Sequence, residues 1–172
     1  MALRAPLPNG LKGNEKTIEL MCRLAINRSA HPIIREFATD ILNIYDTISH
    51  DYFKEALAIG DFVKNSIRYV KDPTGVEMLT DPLTMAILID KGSARGDCDD
   101  MALFIATLLL AIGHNPRFRA VRYYDKVGPY EHIYVVDYPD SAPHNRVVLD
   151  GIIKDQPIGF EISHISGKEY AV

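Results

Sequence analysis

The hydrophobic rhythm of the chain changes near Gly113. Upstream, apolar positions recur at helical spacing: Ile18, Met21, Cys22 and Ala25 share one face, and the pattern runs on through "HPIIREFATDILNIYDTISHDYFKEALAIGDFVKNSIRYV". Two or three helices are predicted, with Pro32 opening one and Ser49 capping the next. From Asp72 to Gly96 the turn formers of "DPTGVEMLTDPLTMAILIDKGSARG" predict a loop carrying a short helix over Leu83–Ile89. Next comes Met101–Ile112, apolar except for Thr107, which reads as a helix buried on nearly every side. Beyond Gly113, "RFRAVRYY", "HIYVVDY" and "RVVLDGII" are β-rich, and "DKVGPYE" and "PDSAPHN" between them are turn-like. Helices followed by strands predict an α+β fold with an antiparallel sheet.

Length and composition narrow the class. A chain of 172 residues fits one domain. Its parts are a mostly helical 1–70, a loop-rich 71–96, and a helix-plus-sheet 97–172. With 47% hydrophobic and 24% charged residues it is too apolar for disorder. A net charge of −4 without any Lys/Arg-rich run offers no footprint for nucleic acid or an anionic membrane, so neither is an expected partner. "MALRAPLPNGLKG" lacks the continuous apolar core of a secretory signal, and Met101–Ile112 falls short of the roughly 20 residues that span a bilayer. A cytoplasmic location is expected. Two cysteines, Cys22 and Cys98, make no disulfide framework and no CxxC zinc motif.

The stretch "SARGDCDDMALFIATLLLAIG" holds the candidate chemistry. If Asp97 is the N-cap, Cys98 is the first residue of the buried helix and Asp100 the third, placed to bond back as in a capping box. Unpaired amides and the positive end of the helix favour a thiolate there, and the same amides can donate to an oxyanion. The neighbouring aspartates oppose that thiolate. Of the six histidines, His132 opens the strand "HIYVVDY", whereas His31, His114 and His144 sit beside prolines or in turns, and His50 and His164 lack a comparable setting. Asp150, at the end of "RVVLD", is available to orient the imidazole.

"GDCDDMALFIATLLLAIG", "EHIYVV" and "VVLDG" together resemble the transglutaminase-like superfamily. "IRYVKDPTGVEMLTDP" is similar to the segment before the cysteine in small phage- and prophage-encoded members. The resemblance spans roughly residues 13–151. It implies a papain-type core in which a central helix begins at the nucleophile and packs on the sheet. It also implies a triad of Cys98 as nucleophile, His132 as general base and acid, and Asp150 as orienting carboxylate. A thioester would form on Cys98 during amide-bond hydrolysis or acyl transfer, with hydrolysis favoured and no cofactor or metal required. By the same resemblance the substrate is a protein or peptide, such as a virion or host protein or cell-wall peptide, and the protein could be virion-associated. Papain-like enzymes often complete the oxyanion hole with an upstream side-chain amide. No Gln or Asn lies between Tyr69 and Cys98, leaving Thr80 or a backbone amide.

Other readings stay open beside these. The chain could be an inactive scaffold acting in phage assembly or protein binding, since fold alone does not fix activity. Asp97, Asp99 and Asp100 could hold calcium, although acids in a first helical turn are stabilising without a metal. Arg117, Arg119 and Arg122 could mark an anionic ligand or pair with acids on a wet sheet face, and Tyr123, Tyr124, Tyr130, Tyr134 and Tyr138 could line a cleft or a half-exposed sheet. Cys22 reads as core.

Overall fold

The computed structural model describes residues 2–5, 11–73, 77–124, 127–139 and 145–172. Parts of the two expected turns, including His144, lie outside them. The elements are β1 (Ala2–Ala5), α1 (Leu11–Ser29), α2 (Pro32–Ile44), α3 (Tyr52–Ser66), β2 (Arg68–Tyr69), β3 (Glu77–Thr80), α4 (Pro82–Asp90), β4 (Arg95–Gly96), α5 (Cys98–Ala111), β5 (Arg117–Arg122), β6 (His132–Asp137), β7 (Val147–Leu149) and β8 (Ser166–Ala171). The α+β class is as the sequence predicts. Among the described residues no helix is long and apolar enough to cross a membrane.

Local chemistry sets the helix boundaries. Pro32 opens α2 behind His31, whose Nδ1 accepts the Ile33 N–H at 3.3 Å. The cap of α3 is Asp51, which accepts the Lys54 N–H at 3.2 Å, and not Ser49. The chain must turn sharply first, with His50 at φ 68°, and Asp51 is the first acceptor beyond that turn. The expected short helix is α4, capped by Asp81 with Pro82 in its first turn.

Helix α5 is the centre of the molecule. Every residue from Asp100 to Leu109 is buried, because α1, α2 and α3 pack on one side and the sheet on the other. Thr107 is tolerated inside because its hydroxyl donates to the Leu103 carbonyl at 2.6 Å. Strand order is β7-β6-β5-β8, antiparallel throughout. Alternation divides the sheet. Phe118, Ala120, Ile133, Val135 and Leu149 face the helices, whereas Val121, Tyr134, Val136 and Val148 form a second cluster on the outer face.

Strand β8 was not predicted. "SGKEYA" lacks a strong apolar alternation, and it is held as a half-exposed edge by backbone pairing with the whole of β5. The short β1–β3 and parallel β2–β4 pairs were likewise not predicted; the second runs straight into the start of α5.

Candidate active site

Asp97 caps α5 as expected, its Oδ1 accepting the N–H groups of Asp99 at 3.1 Å and Asp100 at 3.5 Å. Cys98 is thereby the first helical residue. The reciprocal capping bond does not form. Asp100 turns instead to β3 and accepts the Thr80 N–H at 2.7 Å. The site is cramped: a Cβ at Gly96 would lie 2.5 Å from both Cβ and Oδ2 of Asp100. Burial pushes the Asp100 carboxyl up to about 7, with the charges of Asp97 and Asp72 adding to the effect and the Thr80 hydrogen bonds opposing it. The Thr80 N–H and hydroxyl both serve Asp100, so Thr80 is spent as an oxyanion donor.

The thiol environment corrects one expectation. Burial, then the charges of Asp99 and Asp97, push Cys98 well above the ordinary thiol range, and its S–H donates to Asp99 Oδ1 at 3.3 Å. The one opposing contact is the Ile133 N–H, which donates to the sulfur. That amide is available because β7 pairs only with residues 135–137, leaving the start of β6 open on that edge. The helix start alone therefore does not generate a thiolate; its dipole is opposed by two carboxylates in closer contact.

His132, one residue before that amide, is buried at the head of β6. Its Nε2 meets Asp150 Oδ2 at 2.7 Å, and Asp150 Oδ1 accepts the Ile152 N–H at 3.1 Å. Both carboxylate oxygens are thus fixed. Beyond Asp150 the chain is tied down where Lys154 donates to the Lys64 and Ile67 carbonyls at the end of α3. The imidazole is held between two tyrosine rings, Tyr123 at 6.2 Å and Tyr134 at 5.5 Å between centroids. Burial and the charges of Asp150 and Cys98 push the Tyr123 phenol up to about 12, so this ring senses both groups. Cys98 at the helix start thus meets β6 through the Ile133 amide, and His132, the residue before it, meets Asp150 just beyond β7.

The remaining sequence expectations resolve individually. Arg119 pairs with Glu161 at 3.1 Å and Glu169 at 3.0 Å on the outer face, and Arg117 with Glu169. Arg122 lies over the Tyr130 ring. Cys22 packs against the core. The metal-capable group among the described residues is Asp97, Cys98 and Asp99, whose ligand atoms lie within 4.8 Å of one another. Two carboxylates and a sulfur differ from the all-oxygen shell that calcium takes, and Asp100, turned to Thr80, is not part of the group.

Two polar groups escaped sequence reasoning. His114 is buried between Asp137 Oδ2 at 2.6 Å and Glu55 Oε2 at 3.1 Å. Tyr69, on β2, presents a phenol pushed upward by burial and then by the charges of Cys98, Asp97 and Asp99. A signal for Tyr69 existed only in its place just upstream of the loop leading to Cys98.

No family model matches the sequence, and no curated protein matches it. Among solved structures, the chain aligns with a "putative cysteine protease" from Cytophaga hutchinsonii at a TM-score of 0.47 and 15% identity, over 81% of this chain and 51% of that one. It also aligns with a "putative protease" from Parabacteroides distasonis at a TM-score of 0.49 and 14% identity, over 94% of this chain and 36% of that one. This chain spans about half the length of the first of these proteins and little more than a third of the second.

Proposed function

We propose that the protein is a cysteine-dependent amide-bond hydrolase, with Cys98 as nucleophile, His132 as base and acid, and Asp150 as the carboxylate that orients the imidazole. One observation carries the reading: the buried 2.7 Å contact of His132 Nε2 with Asp150, beside a thiol bound to the next residue's amide. With Nε2 engaged by Asp150, Nδ1 is the nitrogen that exchanges protons at the reacting centre. The resting thiol is neutral, and Nδ1 removes its proton as sulfur attacks the substrate carbonyl. The tetrahedral intermediate collapses when Nδ1–H passes that proton to the departing amine. A thioester remains on Cys98. Nδ1 then takes a proton from water, hydroxide adds to the thioester, and the acid leaves as the thiol is re-formed. An amine in place of that water would give acyl transfer; hydrolysis is favoured because it requires no site that excludes water.

The resemblance of "GDCDDMALFIATLLLAIG", "EHIYVV" and "VVLDG" to transglutaminase-like enzymes supports the same assignment and makes a peptide or protein the substrate class. Profiling of a proteome-derived peptide library tests it. New peptide termini, or amine-joined products, should accumulate with the wild type and vanish with Cys98→Ala. Identical product sets from the two proteins would overturn the enzyme reading in favour of a binding scaffold.

A further inference from the structure

An oxyanion formed at Cys98 faces an electrostatic difficulty. Asp97 already takes the Asp99 and Asp100 amides that a helix start would otherwise offer, and Asp97 and Asp99 repel any anion that forms beside the sulfur. The Cys98 N–H is left outside the cap, because Asp97 engages the two amides that follow it. A single backbone donor is a weak counterweight to two carboxylates. Removing one donor from an oxyanion hole typically costs on the order of 100-fold to 1,000-fold in rate. Thr80 does not supply the second donor, since its N–H and hydroxyl serve Asp100.

Strand β2 supplies what Thr80 does not. It pairs in parallel with β4, with Arg68 opposite Arg95 and Tyr69 opposite Gly96, and the Val70 N–H donates to the Gly96 carbonyl at 2.9 Å. This register sets Tyr69 beside Gly96, two residues before Cys98, and the Asp100 side chain fills the space over Gly96. The phenol is partly exposed and has no hydrogen-bond partner among the described residues. We propose that the Tyr69 hydroxyl is the second oxyanion donor of this site, working with the Cys98 N–H on the carbonyl oxygen of the substrate. This rests on Cys98 being the nucleophile. A phenol fits the task because it stays protonated and neutral beside the aspartates, and the same charges that oppose a thiolate hold its proton in place. Its hydrogen bond strengthens as the carbonyl oxygen gains charge, which is the selectivity for the transition state that speeds the reaction.

Two reactions of Cys98 separate this role from a structural one, each followed by intact-protein mass in a Cys22→Ser background. Alkylation by iodoacetamide displaces iodide at carbon and passes through no tetrahedral oxyanion. Acylation by a p-nitrophenyl ester does pass through one, and releases p-nitrophenolate as the thioester forms. Tyr69→Phe keeps the ring and removes only the hydroxyl. Acylation should fall on the order of 100-fold, while the rate and pH profile of alkylation stay within twofold of the parent. Unchanged acylation would overturn the proposal, and so would an equal loss in both reactions, which would mean that Tyr69 acts on the thiol or on the packing around it. A parent protein that alkylates but is never acylated by the ester would instead remove the nucleophile assignment, and Tyr69's role with it.

Discussion

Replacing Asp99 by Asn should make Cys98 more reactive. The Asp99 carboxylate accepts the thiol proton at 3.3 Å and is, after burial, the largest contribution holding that thiol protonated. At 3.3 Å a carboxylate and a thiolate repel by about 1.3 kcal/mol even at the dielectric constant of water, and by about 5 kcal/mol at an effective value of about 20. The lower figure alone raises the thiolate fraction at neutral pH about eightfold. A less basic thiolate is also a weaker nucleophile, with a Brønsted slope of about 0.4–0.5, so the net gain in alkylation rate at that end is about threefold. Less solvent screening gives a larger gain. The assay is the rate of iodoacetamide labelling of Cys98 between pH 6 and 10 in a Cys22→Ser background. Rates should rise with pH in both proteins, and the Asn profile should be displaced to lower pH. Helix stability should drop by only about 0.3–1 kcal/mol, the usual worth of a first-turn acid. Coincident profiles, or a slower Asn variant that remains folded, would refute the claim that Asp99 holds the thiol neutral.

Three further outcomes follow from the buried charges. Asp100, raised to about 7 in the fold from an ordinary 3.8, contributes stability that is full below the lower value and lost as pH rises through the higher one. Asp100→Asn should therefore gain on the wild type in urea unfolding at pH 8 relative to pH 5, and a constant difference would contradict the assignment. Gly96→Ala drives a methyl to 2.5 Å from the Asp100 carboxylate, and should cost about 1–3 kcal/mol in the same assay; a neutral result would mean that Asp100 moves freely. For His114, burial lowers the affinity for a proton, but Asp137 and Glu55 outweigh it and leave the imidazole raised above 6.5. Its stabilisation is complete below that ordinary value and disappears as pH climbs through the raised one. His114→Ala, which strands two buried carboxylates, should cost about 3–5 kcal/mol at pH 6 and less at pH 9; equal losses at both would show that the charge is not what matters.

Local rules carried most of the architecture. Helical spacing, Pro32 and Asp97 are signals contained in a few neighbouring residues, and they mark α2 and the start of α5 directly. Strand alternation likewise puts His132 and Asp137 on opposite faces of β6, as the packing of Tyr134 outward and Val135 inward illustrates. What Asp137 meets on the inner face is a different kind of fact. His114 and Glu55 come from the connection after α5 and from α3, and no local pattern reports that three distant polar groups share one buried site. Asp100 exemplifies the same limit: the capping-box spacing is present, yet the Thr80 amide outcompetes the reciprocal bond because β3 runs past the helix start. Strand β8 was invisible because backbone pairing, not side-chain periodicity, holds it. The thiol's resting state required knowing how deeply it is buried, which the aspartates around Cys98 only hint at.

The proposed mechanism requires Cys98, His132 and Asp150 to act as one unit on an acyl group. Intact-protein mass spectrometry after exposure to an acyl probe with an amide leaving group tests it most directly. The wild type should gain the acyl mass on Cys98, hydroxylamine should remove it, and Cys98→Ser, His132→Ala and Asp150→Asn should each abolish or severely slow its appearance while remaining folded. Acylation of Cys98 that is indifferent to His132 and Asp150 would contradict the claim and leave an ordinary thiol at the end of a buried helix.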